Sequence, residues 1–201
     1  MFLIRKPSEP EIERFVSSQA DLPFSYGEVG ATRGEAPKGY VVDRYRVKLG
    51  EGGEAYGRAK DALRAWRQFG LGWVSVHPGG APIEVGATVA VLARHFGFWS
   101  LNSARTIYAV DEGGDVERFG FAYGTLPGHA ERGEERFLVE HDRETGAVFY
   151  DVFAFSRPNH PLAWLGLPFA RVLQRRFAGD SKEAMRMAVR TKGRRGRGGR
   201  P

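Results

Sequence analysis

Six strand-like runs follow one another between residues 71 and 157 with no helix between them, and this series restricts the fold more than any other feature of the sequence. Turns that contain Gly, or Pro and Gly, separate the runs at hairpin-like intervals, which predicts antiparallel pairing. Because no helix intervenes, the pattern argues against a parallel, doubly wound sheet. The predicted strands are 71–77, 83–97, 103–111, 116–126, 134–142 and 147–157.

Three further segments surround this series. Residues 40–49 alternate between apolar and basic side chains, which is typical of a half-buried strand. Residues 53–69 carry an apolar stripe that predicts a helix covering the sheet. A longer stripe over 160–189 predicts a C-terminal helix, in which Pro168 marks either a kink or the first turn. The residues that share the apolar face of the first strand are Tyr45, Val47 and Leu49.

The segment before residue 40 contains a helix-capping pattern and several turn residues. Ser8-Glu9-Pro10-Glu11 is a capping-box pattern that predicts a short helix. Pro and Gly punctuate residues 23–39, which predicts a loop or short strand packed on other elements. The element order predicts an α+β domain, with a curved antiparallel sheet of about seven strands and helices against its concave side. We expect an N-terminal helix and loop at 1–39, the domain at 40–189 and a tail at 190–201.

The net charge of +6 comes from the end of the chain. Residues 190–201 hold six basic side chains and no acidic one, so the rest of the chain has equal numbers of both. This Gly-rich run has too few apolar residues to form a core, which predicts disorder. Nucleic acid or an anionic surface could therefore bind only through tail residues such as Arg194, Arg195 and Arg197.

Composition excludes several classes of protein. The chain has no cysteine, so disulfides and thiolate metal sites are impossible. The first residues reach Arg5 after only three apolar side chains, and the longest uncharged stretch, 68–83, is interrupted by Gly and Pro. Neither a signal peptide nor a membrane span fits these features. We expect a soluble, cytoplasmic protein.

Several segments together resemble an uncharacterised family, catalogued as domain of unknown function nineteen-ninety. The likeness extends over about residues 40–189 and is carried by motifs that are weak singly and specific together. They are Gly120-Phe121-Ala122-Tyr123-Gly124-Thr125-Leu126-Pro127-Gly128-His129, Gly133-Glu134-Glu135-Arg136-Phe137, Phe155-Ser156-Arg157-Pro158 and Gln174-Arg175-Arg176.

The resemblance implies a START-like helix-grip fold (SRPBCC), as in birch-pollen-allergen-like proteins and polyketide cyclases. In this fold a curved antiparallel sheet wraps around a long C-terminal helix, which agrees with the element order derived above. The family has no agreed catalytic residues, so the resemblance assigns none to this chain.

Other motifs have simpler explanations. Residues 50–55 match a dinucleotide-binding pattern, but Glu51 and Glu54 would repel a pyrophosphate, so we expect no cofactor there. No two of the five histidines have the spacing that places two metal ligands on one helical face, so we expect no metal site. Ser156, His160 and Asp151 are close in sequence but lack the motif of a nucleophile elbow.

Aromatic residues are dense in the predicted sheet. Alternation places Phe119, Phe121 and Tyr123 on one face. The dense aromatics fit either a packed core or an aromatic cavity between sheet and helix, and the resemblance favours the cavity. A buried Arg105 would require a carboxylate or a ligand anion. Phe149, Phe153 and Phe155 likewise share one face, and the predicted ligand-binding residues are Arg105, Tyr108, Phe121, Tyr123, His129 and Phe153.

The leading hypothesis is a protein that binds a small apolar or amphipathic molecule between sheet and C-terminal helix, without a need for catalysis. Aromatic side chains would supply contact area, and Arg105, Tyr123 or His129 would orient a polar end. An alternative is an enzyme, cyclase-like or hydrolytic, with His129 or Tyr123 as acid or base in the same cavity. The simpler explanation of His129 is a solvated, charged hairpin. The third hypothesis is association with nucleic acid through the tail.

Overall fold

A computed structural model describes residues 1–159 and 167–190 of the chain. The helices of these ranges are α1 (Glu9–Gln19), α2 (Gly52–Arg64) and α3 (Leu167–Arg190), with short 3-10 helices at Ala31–Arg33 and Arg67–Phe69. The strands are β1 (Phe2–Leu3), β2 (Val41–Glu51), β3 (Val74–His77), β4 (Thr88–His95), β5 (Phe98–Glu112), β6 (Val116–Thr125), β7 (Glu131–Asp142) and β8 (Ala147–Pro158).

All eight strands belong to one antiparallel sheet. Seven are neighbours in the order β2-β8-β7-β6-β5-β4-β3, and the short β1 pairs with the beginning of β5. We call the face that contacts α2 and α3 the inner face and the opposite one the outer face. Met185 and Val189 of α3 are buried in the core cluster on the inner face. The α+β helix-grip fold predicted from the sequence is therefore confirmed.

Strand alternation assigns the faces as the sequence predicts. Phe121 is opposite Phe137, and both are fully buried on the inner face with Tyr123. Phe153 is opposite Arg44 and Arg136, on the outer face. The side-chain period of two in a strand explains why these faces follow from sequence alone. The residues predicted to share faces are Phe119, Phe121 and Tyr123, which are inner, and Phe149, Phe153 and Phe155, which are outer.

Helix α1 begins at the predicted capping box. The backbone amide and the side-chain hydroxyl of Ser8 each donate a hydrogen bond of 2.8 Å to the carboxylate of Glu11. These bonds cap the N-terminus of the helix. Ile12 is buried against Leu92 and Leu101. These two residues point to the outer face, so the prediction that all helices lie against the concave side is wrong for α1. The reason is that alternation leaves an apolar patch on the outer face as well, and α1 covers it.

The segment after α1 also lies on the outer face and is held by one carboxylate. Glu134 is 3% exposed. It accepts hydrogen bonds from the hydroxyl of Tyr26 at 2.8 Å and from the amides of Gly30 and Thr32 at 2.7 and 3.0 Å. The hydroxyl of Thr32 also donates to it. The predicted loop is thus fixed by hydrogen bonds that no local sequence pattern indicates.

The largest boundary error of the sequence analysis concerns β4 and β5. The predicted run 83–97 is too long at both ends, because β4 begins at Thr88, and Phe96 and Gly97 form a two-residue turn with φ of 45° and 89°. Strand β5 therefore begins at Phe98 and not at the predicted residue 103. His95 and Phe98 are opposite each other on either side of this turn. A Phe with positive φ is uncommon, so the pair does not look like a turn in the sequence.

The end of one predicted helix also differs from prediction. Helix α2 ends at Arg64, and Trp66 takes a positive φ of 52° before the 3-10 helix at Arg67–Phe69. Trp66 and Phe69 are still buried, because the turn returns both to the core. Helix α3 has Pro168 as its second residue, which confirms the first-turn alternative. The predicted parts at 160–166 and 191–201 lie outside the described residues. In the described ranges, no helix has the length and apolar character to cross a membrane.

Candidate functional site

A cavity of about 810 Å³ lies between the inner face of the sheet and the first half of α3. Its wall combines a large apolar part with a polar group of side chains from β2, β6 and β7 and from the segment between β6 and β7. A cavity of this size and composition is typical of sites for small organic molecules. The apolar part of the wall includes Phe69, Trp73, Val91, Ala93, Phe177 and Ala178.

Part of the polar wall is a row across four neighbouring strands. Glu135 on β7 is opposite Tyr123 on β6 and, on its other side, Ala154 on β8. Ala154 is in turn opposite Asp43 on β2. Directly opposed residues of antiparallel strands point to the same face. The register therefore brings two carboxylates and a phenol together on the inner face, and the small Ala154 leaves space between them.

Glu135 and Tyr123 form the central polar contact of the wall. The hydroxyl of Tyr123 donates a hydrogen bond of 2.7 Å to Oε2 of Glu135. Burial, helped by the nearby carboxylates of Glu131 and Asp43 and opposed by the hydrogen bond from Tyr123, raises the pKa of Glu135 to about 7. Glu135 can therefore hold or release a proton near neutral pH.

The carboxylates of Glu131 and Asp43 connect the sheet to α3. Nε2 of Gln174 donates to both carboxylate oxygens of Glu131, at 2.9 and 3.0 Å. The guanidinium of Arg171 forms two hydrogen bonds with Asp43, at 2.7 and 2.9 Å. Burial raises the pKa of Glu131 in spite of its hydrogen bonds. These contacts fix the first half of α3 over the cavity.

His129 lines the cavity after the turn between β6 and β7. Its Nδ1 accepts a hydrogen bond of 3.0 Å from the amide of Glu131, so the neutral ring carries its proton on Nε2. Burial lowers the pKa of His129 to about 4. The ring is therefore uncharged at neutral pH and does not offset the carboxylates of the wall.

Two more tyrosines lie beside Glu135. The hydroxyl of Tyr150 forms a hydrogen bond of 3.0 Å with Ser181 of α3. The buried hydroxyl of Tyr45, which lines the cavity, lies near the hydroxyls of Tyr150 and Ser181 but forms no hydrogen bond of normal geometry with a described residue. Buried hydroxyls normally find a partner, so this one is available to a bound molecule.

Two of the predicted ligand-binding residues line the cavity. They are Tyr123 and His129. Phe121 is on the same face but fully buried in the core, where it packs against Trp66 and Phe137.

The structure places Arg105, Tyr108 and Phe153 on the outer face, away from the cavity. The guanidinium of Arg105 donates to the carbonyl oxygens of Leu22 and Gln19, at 2.6 and 3.2 Å. The expectation that Arg105 needs a carboxylate or a ligand anion is therefore wrong.

The pairing of β5 with β6 explains why Arg105 and Tyr108 point to the outer face. Arg105 is opposite Gly124, the neighbour of Tyr123, so it points to the other side of the sheet. Tyr108 follows a register shift between Thr106 and Tyr108, which alternation within β5 does not reveal. The hydroxyl of Tyr108 forms a hydrogen bond with Thr32 of the N-terminal segment.

Sequence reasoning missed the carboxylates of the wall. One signal could have found Glu135, because it alternates in phase with Phe137 and Val139, which are fully buried on the inner face. A carboxylate in phase with buried apolar residues of a strand is unusual. Asp43 gives a similar signal, because it alternates in phase with the buried Val47 and Leu49, but its proximity to Glu135 depends on the pairing of β2 with β8. The predicted tail residues Arg194, Arg195 and Arg197 lie outside the described residues.

Within residues 1–159 and 167–190, no three His, Cys, Asp or Glu side chains come together in a group that could hold a metal ion.

Solved structures with similar folds have low sequence identity to this chain. The hypothetical protein jhp0584 from Helicobacter pylori has a TM-score of 0.48 and 12% identity, covering 75% of this chain and 88% of that one. Ara h 8.0201 has the same TM-score and identity, with 77% of this chain and 100% of that chain covered. Human STARD10 has a TM-score of 0.44 and 8% identity, with coverage of 91% and 81%.

Sequence relatives are much closer. A UPF0548 protein of Deinococcus radiodurans is 41% identical over 96% of this chain and 100% of its own length. A UPF0548 protein of Dictyostelium discoideum is 37% identical, with coverage of 94% and 96%. The family described as Domain of unknown function (DUF1990) matches residues 25–184. These matches extend over nearly all of the described fold, and the chain belongs to the DUF1990 family.

Proposed function

We propose that this protein binds a small apolar or amphipathic molecule in the cavity between the inner face of the sheet and α3. The observation that carries the proposal is the cavity itself, at about 810 Å³ with apolar walls and polar side chains grouped in one region. Apolar surface gives contact area, and a few polar groups fix orientation. Of the residues predicted from the sequence, Tyr123 and His129 line the cavity and can orient the polar end of the molecule. The fold alone does not require catalysis.

Filling the cavity tests this proposal. Ala178 of α3 lines the cavity, so Ala178→Trp places an indole in the space that a ligand would occupy. Val172 lies on the same helix but is 54% exposed, so Val172→Trp adds an indole outside the cavity. We expect the uncharged dye Nile red to increase in fluorescence with the unmodified protein and with Val172→Trp, and Ala178→Trp to weaken its binding by about tenfold or more. Equal binding by all three proteins would refute the cavity as the binding site.

A second candidate function is general acid–base catalysis in the same cavity. It is favoured by Glu135, whose pKa is raised to about 7 chiefly by burial. A carboxyl group with such a pKa can both donate and accept a proton at neutral pH, and Tyr123 is hydrogen-bonded to it. Cyclase-like and hydrolytic steps both need such a group.

The catalytic candidate makes a separate prediction. A substrate turned over by the protein should show a rate that changes with pH around 7, and Glu135→Gln should remove both this change and most of the rate. A rate that keeps its pH profile in Glu135→Gln would exclude Glu135 as the acid or base.

A further inference from the structure

We propose that the polar end of the bound molecule is a protonated amine, so that the cavity takes cationic amphiphiles. This inference rests on the proposed binding function and adds the chemical class of the ligand. It follows from which side chains in the wall have a charged partner and which do not.

The carboxylates of the wall are unequally compensated. Asp43 has the guanidinium of Arg171 as its partner, at 2.7 Å. Glu131 accepts hydrogen bonds from the amide of Gln174, and Glu135 accepts one from the phenol of Tyr123. Both of those donors are neutral. Among the described residues, no Lys or Arg forms an ion pair within 4.0 Å of Glu131 or Glu135.

Two carboxylates with neutral partners beside an apolar cavity are electrostatically unfavourable. Burial disfavours ionisation of both, Asp43 adds to this effect for both, and Glu131 adds to it for Glu135. In the part of the chain that the structure describes, the only opposing charge is that of Arg171, which favours ionised Glu131 but is already paired with Asp43. A buried charge is stabilised by an opposite charge that also forms hydrogen bonds. An alkylammonium group supplies one positive charge and three N–H donors, so it would compensate this part of the wall.

The unpartnered hydroxyl of Tyr45 is an independent observation in favour of a bound donor. This oxygen is buried in the wall, and the neighbouring hydroxyls of Tyr150 and Ser181 form no hydrogen bond of normal geometry with it. The three N–H groups of an ammonium match the three acceptors that Glu131, Glu135 and Tyr45 offer. The rings of Phe69 and Phe177, with centroids 5.1 Å apart, provide apolar contact for the rest of the molecule.

An anionic ligand fits this wall poorly. A carboxylate or phosphate at the same place would face Glu131 and Glu135, and the uncharged ring of His129 would not compensate it. The arginines beside the cavity do not change this, because Arg171 is paired with Asp43, Arg175 is exposed where water screens its charge, and the side chain of Arg44 points to the outer face.

The test uses three molecules with the same apolar body: octylamine, octan-1-ol and octanoate. Each displaces Nile red from the unmodified protein, and its affinity is measured at about pH 8, where Glu135 is ionised and the amine remains protonated. We expect octylamine to bind about tenfold more tightly than octan-1-ol, and octanoate to bind most weakly.

The preference should also depend on pH. At about pH 5.5 Glu135 is protonated, so the advantage of octylamine over octan-1-ol should decrease. Octan-1-ol is uncharged, so its affinity should change little with pH. The titratable groups that interact with Glu135 are Tyr123 on β6, Asp43 and Tyr45 on β2, Tyr150 on β8 and Glu131 on β7. The charged groups of α3 next to them are Arg171, which contacts Asp43, and Lys182, which lies over the ring of Tyr45.

A matched pair of variants assigns the effect to one carboxylate. Glu135→Gln keeps an acceptor for Tyr123 but loses the charge, so octylamine should bind about tenfold more weakly while octan-1-ol is unaffected. Glu140→Gln makes the same change on the same strand, but Glu140 pairs with Arg46 and Arg118 on the outer face. This control should keep the preference.

The outcomes separate the two proposals. If octan-1-ol or octanoate binds as tightly as octylamine, the amine class is refuted and binding in the cavity stands. The same holds if Nile red binds but octylamine does not displace it. If neither Nile red nor any of the three molecules binds, the proposed function fails, and the inference fails with it.

Discussion

Glu134 and Glu135 are neighbours on β7, yet their carboxylates have opposite surroundings. Glu134 points to the outer face and receives hydrogen bonds from three residues of the N-terminal segment. Glu135 points into the cavity and receives one, from Tyr123. The first carboxylate is thus a structural anchor, and the second retains capacity to bind. A shift of one residue along a strand is enough to produce this difference.

Glu134→Ala should be strongly destabilising. The change leaves the hydroxyl of Tyr26 and the amides of Gly30 and Thr32 without an acceptor in a buried place. We expect the free energy of unfolding, measured by denaturant titration, to fall by about 3 kcal/mol. Glu84 is exposed, so Glu84→Ala should change it by less than about 0.5 kcal/mol. Equal effects of the two substitutions would contradict the role of Glu134 as an anchor.

Glu135 should make stability depend on pH. Its pKa in the folded state, about 7, lies above the ordinary value of 4.5, so the folded protein binds more protons between these values. Its contribution is therefore fully present below about pH 4.5 and is lost as the pH rises through about 7. Relative to the unmodified protein, Glu135→Gln should gain stability between about pH 5 and pH 8, by about 1–3 kcal/mol in denaturant titrations. A constant difference over this range would show that Glu135 does not titrate as described.

At the scale of elements, strand pairing and helix formation place opposite demands on glycine. A Cβ at Gly120 of β6 would lie 2.0 Å from the carbonyl oxygen of Phe137 on β7. A Cβ at Gly57, inside α2, would have no atom within 4 Å. The first glycine permits close approach of two strands, whereas the second costs helix stability without a steric reason.

Alanine substitutions at these positions should therefore have effects of opposite sign. We expect Gly120→Ala to lower the thermal midpoint, because β6 and β7 must separate, at a cost of about 2–3 kcal/mol. Gly57→Ala should raise the midpoint, with a gain of about 0.5–1 kcal/mol from its higher helix propensity. Calorimetry on both variants gives the comparison. A stabilised Gly120→Ala variant would show that the close approach of the two strands is not needed.

The elements also differ in how well the sequence predicts them. Most strands of the sheet are predicted because alternating faces and Gly turns repeat along the chain. The turn at Phe96 and Gly97 is missed, because it has a Phe in a conformation that side chains rarely adopt. The face of Tyr108 is not predictable either, since it depends on a register shift in β5. Both failures occur where the backbone departs from regular geometry.

At the scale of the whole molecule, α3 has two parts with different surroundings. Its second half contributes the buried Met185 and Val189 to the core, whereas Leu173 and Phe177 in the first half face the cavity. The first half is held to the sheet mainly by polar contacts of Arg171 and Gln174. Local stability follows buried apolar contacts, so the two halves should open at different rates.

Amide hydrogen exchange can measure this difference. In the free protein we expect residues 171–178 to exchange faster than residues 182–190, because they bury fewer apolar side chains. A saturating concentration of Nile red should slow exchange in 171–178 and leave the peptides of α2 unchanged. Uniform exchange along α3, with or without the dye, would contradict a cavity that is closed by its first half.

The sequence by itself determined the order of elements, the antiparallel sheet and the faces of most of its residues, because alternation and turn chemistry are local properties. Only the tertiary structure decided that α1 covers the outer face and that Asp43, Glu135 and Tyr123 form one row. That row requires β2 to pair with β8, more than 100 residues later, in one particular register. Local patterns carry no information about this pairing, since it depends on how the whole sheet packs around α3.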